Sequence, residues 1–283
     1  MILSFGSDSV NASAAALALG IPSSIALLAY AICAALGGQR AAPVQRGAML
    51  VGWIAQGLAI VVDSAGFFSA SSGARFGFAT ALSATSWLVV AVYGIESRFL
   101  PMRGVQGTLA VFGLVSVALA WVFPAELRSV SRWAPVHWIL GIASYGLFGA
   151  AVLHAAMLGR VERQLRGKAL RGNGDGMPAH AAGVPLLSLE RLTFRFVAAG
   201  FFVLSAALLL GVWFASPWRW DHKTVFSILG WAVFAALLAG RRVFGWRGPL
   251  ATRWLYAGAG LLLLAYVGSR FVLEVLLHRL PAN

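Results

Sequence analysis

Trp87–Gly94 reads WLVVAVYG, a run with no charge and no break at the centre of a longer apolar stretch over 76–96. A strand of a membrane barrel would alternate apolar and polar positions over about ten residues between turns. This run is continuous, so it reads as a helix. About 20 such residues, rising about 1.5 Å each, cross the hydrocarbon core of a bilayer. Seven further stretches share the pattern, near 14–37, 48–68, 104–124, 136–158, 194–215, 223–240 and 254–275. The composition agrees: of 283 residues, 60% are hydrophobic and 11% charged, against about 45–50% and about 25% in soluble domains. A soluble fold of this size could not cover so much apolar surface. The expected fold is an all-α polytopic membrane bundle of eight transmembrane helices. The first run has no basic residue ahead of it and an Ala-rich core longer than a signal-peptide h-region, so it reads as a span.

With eight spans, the connecting segments alternate between the two sides of the membrane. One side collects 15 of the 22 Lys and Arg residues, including Arg98, Arg160, Arg163, Arg191, Arg241, Arg242 and Arg247. The other holds the remaining seven: Arg75, Arg128, Arg132, Arg219, Lys223, Arg270 and Arg279. The richer side is expected to be cytoplasmic, which places both termini on the outer, periplasmic side. The formal net charge of +13 is explained in the same way, by basic loops that fix topology and touch anionic headgroups. No basic run is interleaved with aromatics as in a nucleic-acid platform, so nucleic acid is not an expected partner.

The single cysteine, Cys33, lies inside the first span, so no intramolecular disulfide can form. There is no C-x-x-C-H for covalent haem attachment, and no P-loop, G-x-S-x-G or H-E-x-x-H. The connections are short except for a basic, Gly-containing stretch over 159–193, which reads as a cytoplasmic linker. It separates a five-helix part, 1–158, from a three-helix part, 194–283, within one membrane domain.

Polar residues are so few that their positions carry information. His180 falls in the linker, and His154 lies 17 residues beyond His137 on one helix, about 25 Å away at helical rise and hence at the cytoplasmic end. His137 opens span five, His222 opens span seven and His278 follows span eight, so all three are expected on the outer surface. Neutral imidazole is a common axial ligand of haem iron. Interfacial histidines also suit the headgroup zone for their amphipathic rings alone. The segment around His222, WFASPWRWDHKT over 213–224, adds flat apolar walls in Trp218 and Trp220 and cations in Arg219 and Lys223 for two propionates. Trp also gathers in interfacial belts without any ligand. Within the spans, Arg270 and Glu274 are spaced to pair with each other. Asp63 stands as an open candidate for a haem-edge contact or a proton path.

The stretch VHWILGIASYGLF over 136–148 resembles the haem-ligating helix of the cytochrome c assembly family, in which a Tyr follows the His by eight positions, as Tyr145 follows His137. WRWDHKT, Trp218 to Thr224, resembles that family's tryptophan-rich WWD motif through Trp218, Trp220, Asp221 and Lys223. PLLSLERL over 185–192, GWRG over 245–248 and YVGSRFVLE over 266–274 are similar to its small eight-helix branch, the YpjD- or HemX-like proteins. The acid expected after the motif lysine is missing, and His222 stands where larger members have proline. No histidine occurs near the end of span seven, and span two offers only Gln56.

The resemblance implies a bacterial inner-membrane protein that binds haem b non-covalently and handles it for c-type cytochrome assembly. His137 would be one iron ligand, with His222 or His278 the other. Expected partners are haem, membrane lipid and membrane proteins of cytochrome c maturation. No bond-making chemistry is expected, because no docking domain and no evident nucleophile are present; the chain reads as a non-enzyme. An alternative is a haem-free auxiliary subunit that regulates haem synthesis or accompanies a cation transport complex. A secondary transporter ranks last, since only Asp63 among the span residues argues for one.

Overall fold

The computed structural model describes residues 4–36, 42–65, 74–75, 77–98, 105–124, 127–128, 133–170, 186–214 and 220–268. Eight α-helices carry the described chain: α1 Ser4–Ala35, α2 Ala42–Ala65, α3 Phe78–Glu96, α4 Val105–Val122, α5 Ala134–Leu170, α6 Leu186–Phe214, α7 His222–Phe244 and α8 Gly248–Leu263. All eight contain a segment of 18 to 31 residues long and apolar enough to cross a bilayer. Large apolar side chains are exposed along them, Leu209 at 72% and Phe202 at 68% among them, as a lipid-facing surface requires. The expected eight-span helical bundle is therefore what the chain forms. A ladder of two residues per strand, β1 Ala74–Arg75 antiparallel to β2 Leu127–Arg128, is the described exception to helix.

The stretch expected to be linker, 159–193, is helical at both ends, since α5 continues to Leu170 and α6 begins at Leu186. The reason is composition: Val161-Glu162-Arg163-Gln164-Leu165-Arg166 is rich in straight-chain residues that lose little rotamer freedom in a helix. Compactness also divides the chain differently from a five-plus-three split. One unit comprises Met1–Ala91 with Arg103–Pro135, and the other comprises Val92–Met102 with Val136–Asn283.

In the first unit, α1 packs along α2 and α4 around a buried polar centre. Tyr30 donates its hydroxyl to Gln56 Oε1 at 2.7 Å. Gln56 Nε2 lies 3.0 Å from both the carbonyl and the hydroxyl oxygen of Ser83, 2.9 Å from Ser86 Oγ and 3.4 Å from Ser116 Oγ. A buried amide in a membrane span must be satisfied internally, and these bonds do so. Glycine makes the approach possible, because a Cβ on Gly52 or on Gly113 would lie 2.9 Å from the Tyr30 ring. Beside this centre, Trp53 and Trp87 stack at 4.9 Å, and each indole N–H donates to the other's backbone carbonyl. Asp63, buried in the last turn of α2, accepts a 2.8 Å bond from the Thr80 hydroxyl.

The second unit is built on α5 to α8. Its core joins Phe148, Val197, Leu204, Phe234, Leu255 and Leu262, with Phe148 stacked on Phe234. A Cβ on Gly258 would meet the Phe234 ring at 2.8 Å, so α7 and α8 lie close together there. Their connection is three residues long: Gly245 adopts φ 65°, the left-handed conformation that ends α7, and Trp246 N–H bonds the Gly240 carbonyl. Beyond α8, Leu264–Gly268 widens into a π-helical turn.

Candidate functional site

The N-terminal turns of α5 and α7, the C-terminal part of α6 and the π-helical turn meet at one end of the second unit. His137, in the first turn of α5, lies with Nδ1 3.0 Å from the carbonyl oxygen of Ala207 on α6. A carbonyl only accepts, so Nδ1 carries the proton of this bond, and in the neutral ring the lone pair is on Nε2. Histidines that hold metals are fixed in the same way, their second ring nitrogen donating to a carbonyl or carboxylate. Gly211, one turn beyond Ala207, leaves room for the ring, since a Cβ there would come within 3.2 Å of His137 Cε1.

Lys223 reaches this end from α7. Its ammonium lies 5.5 Å from the centre of the Tyr266 ring, within cation–π range, and its charge acts on the His137 imidazole. What aims Lys223 is the start of its helix. Asp221 caps α7, accepting the Thr224 backbone N–H at 2.8 Å. Burial opposes ionisation of Asp221, but the Thr224 hydrogen bonds and the Lys223 charge outweigh it and hold the carboxyl below its ordinary range. The motif acid thus serves as a helix cap, and its charge suits the positive end of the helix dipole.

The remaining sequence-derived candidates are placed as follows. His222 is the first residue of α7 and is exposed, about 100° around the helix from Lys223. Trp220 is 72% exposed. Tyr145 packs against the core of the unit, about 12 Å further along α5 than His137. Trp218, Arg219 and His278 lie outside the described residues, as do His180, Arg270 and Glu274.

Two features of this unit carry no signature in the sequence. The first is the role of Ala207 and Gly211 in seating His137, for neither residue type advertises such work. The second lies toward the other end of α5. His154, fully buried, bonds Glu96 Oε2 through Nε2 at 2.6 Å and stacks on Phe196 at 5.3 Å. Among the described residues no group of three or more His, Cys, Asp or Glu side chains is arranged to hold a metal ion.

Residues 47–277 match the family model described as cytochrome C assembly protein. The chain belongs to the cytochrome c assembly protein family. Within that family it is 34% identical over 171 residues to the inner membrane protein YpjD of Escherichia coli strain K12, an alignment covering 58% of this chain and 62% of the relative. The chain therefore spans less than two thirds of the length of the YpjD relatives it matches. It is 25% identical over 221 residues to the cytochrome c biogenesis protein CcsA of Prochlorococcus marinus, covering 66% of this chain and 69% of the relative. A CcsA of a Synechococcus strain is 27% identical over 192 residues, covering 65% and 51%. No solved structure matches the chain.

Proposed function

We propose that this is an inner-membrane protein of cytochrome c assembly that binds haem b non-covalently at the His137 end of its second unit. The observation that carries the reading is the His137 Nδ1–Ala207 hydrogen bond, which leaves Nε2 as the nitrogen carrying the lone pair an iron would take. The donor set fits the group: an oriented imidazole in His137, and a cation in Lys223 with the aromatic face of Tyr266 beside it. His137 would be one residue holding the iron, and His222 or His278 the other. Trp218 and Trp220 would wall the macrocycle, and Lys223 or Arg219 would meet a propionate. Haem held by these residues would supply a redox-active iron.

The chain's own part is to bind, orient and release. Ala207 keeps the His137 ring from rotating, Gly211 gives it space, and Asp221 fixes the register that carries Lys223 to the same place. We assign no catalytic residue and read the protein as a holder of haem rather than an enzyme. In this reading the outer side of the membrane is the one bearing the N-terminal ends of α5 and α7, as the Lys and Arg distribution implies. The test is titration of haem into the purified full chain in detergent. A saturable Soret shift that His137→Ala abolishes supports the reading. A chain that stays colourless with haem in excess contradicts it.

A second reading, an auxiliary membrane subunit without haem, is favoured by the exposure of His222 and Trp220 and by Thr224 standing where the motif has an acid. A folded protein with no Soret change would select it.

A further inference from the structure

Between α1, α2, α3 and α4 the first unit holds a cavity of about 20 Å³, room for about one water molecule. Its lining mixes apolar side chains such as Ile60 and Val117 with four polar ones: Ser23 on α1, Asp63 on α2, and Thr80 and Ser83 on α3. All four polar side chains are buried.

A serine or threonine inside a helix commonly turns its proton back onto a carbonyl three or four residues earlier. Ser86, Ser116, Ser144 and Thr193 do so here, onto the carbonyls of Ser83, Gly113, Gly141 and Leu189. Thr80 gives its proton to the Asp63 carboxylate instead, at 2.8 Å. Among the described residues, the remaining buried serine hydroxyls are those of Ser23 and Ser83. Ser83 Oγ accepts from Gln56 Nε2 at 3.0 Å, but neither serine proton has an acceptor within the described protein. Both serines line the same cavity. A buried O–H without an acceptor costs free energy, so two of them at one water-sized space point to an occupant that accepts twice. Water offers two lone pairs for these protons and two protons of its own. A carboxylate has about four lone-pair sites, so Asp63 can accept from water as well as from Thr80. A metal ion would use the oxygen lone pairs and leave both serine protons without an acceptor.

We propose that this cavity is a binding site for one water molecule, which accepts the hydroxyl protons of Ser23 and Ser83 and donates to the Asp63 carboxylate. Ser83 also belongs to the Gln56 network, so the water joins Asp63 and Thr80 to Tyr30, Gln56, Ser86 and Ser116. One hydrogen-bonded system then ties together all four helices. It also hydrates from within a carboxylate that is expensive to place in a membrane span. The site does not rest on His137 or on any role for haem.

The test uses the isotopically labelled full chain in lipid bilayers and reads magnetisation transfer from water by solid-state NMR. Transfer from a slowly exchanging water to Ser23, Ser83 and Asp63 is expected, with none to Ser144, which is equally buried but bonds the Gly141 carbonyl. A second measurement is the unfolding equilibrium of Ser23→Ala in a denaturing-detergent titration. With water bound, the variant deprives it of a partner, and the equilibrium moves roughly fivefold toward the unfolded chain. With a dry cavity, the same change deletes an unpaired hydroxyl, and the chain becomes no less stable. The native and variant titrations should read the same in sodium chloride and in choline chloride. Absent transfer at Ser23 and Ser83, equal transfer at Ser144, undiminished stability in Ser23→Ala or a sodium-dependent stabilisation would overturn the proposal. Should the variant fail to fold, the transfer measured on the native chain decides alone.

Discussion

His137 on α5 and Ala207 on α6 are joined by a 3.0 Å hydrogen bond that fixes the tautomer and the orientation of the imidazole. The bond spans 70 residues of sequence and depends on a glycine one turn away, since a Cβ at Gly211 would press on the ring. Gly211→Val should therefore tilt His137 and reduce haem content several-fold while leaving helicity unchanged. Haem per chain by pyridine haemochrome, alongside far-ultraviolet circular dichroism, measures both; an unchanged haem content would contradict the seating role.

The His154–Glu96 pair is a structural element of the same unit. Removing Glu96 leaves the buried His154 Nε2 without its partner, at the usual cost of an unsatisfied buried group, about 1–3 kcal/mol. Glu96→Ala is expected to lower stability on that scale in a denaturing-detergent titration. Glu96→Gln, which keeps an oxygen able to accept a hydrogen bond from the ring, should cost clearly less. Equal losses in the two variants would show that the bond itself contributes nothing.

Gln56 organises the first unit by bonding Tyr30, Ser83, Ser86 and Ser116 at once. Gln56→Leu strands the hydroxyls of Tyr30 and of the serines in an apolar interior. The expected loss is about 1–3 kcal/mol, the usual cost of an unsatisfied buried group. Equilibrium unfolding monitored at the stacked Trp53–Trp87 pair would detect it, and Gln56→Glu serves as a same-size comparison.

Asp221 predicts a pH dependence. Its carboxyl is held below the ordinary range, so the folded state binds a proton less readily than the unfolded chain. The stabilisation is fully present above the ordinary aspartate pKa and is lost as pH falls through the depressed one. Amide exchange at Val225 and Phe226 should accelerate at the acid end of that window. Asp221→Asn keeps a good cap and should remove the pH dependence, whereas Asp221→Ala should cost about 0.5–2 kcal/mol of helix stability at neutral pH.

The spans were legible because each averages an apolar signal over about 20 positions, so that one polar residue such as Asp63 or Gln56 does not erase it. The extension of α5 to Leu170 was not, because a charged helix leaving the membrane has no hydropathy contrast with a loop. At the site, sequence identified His137 and Lys223 but could not say which way each side chain of the WDHKT run would point. That depends on where α7 begins, which Asp221 decides by capping, and one residue of register turns a side chain by about 100°. The His154–Glu96 bond and the Tyr30–Gln56 bond join residues 58 and 26 positions apart, so only packing brings them together. The π-helical turn that presents Tyr266 to Lys223 likewise leaves no periodic trace in Leu264–Gly268.

In the proposed function the His137 imidazole holds haem iron. Electron paramagnetic resonance of the haem-loaded, oxidised full chain addresses that bond directly, because the spin state and g-values report the axial ligands. The native chain should give a low-spin ferric signal with two nitrogen ligands, lost or converted to high spin in His137→Ala and partly restored by added imidazole. The same spectrum from native and His137→Ala proteins, at equal haem content, would contradict it.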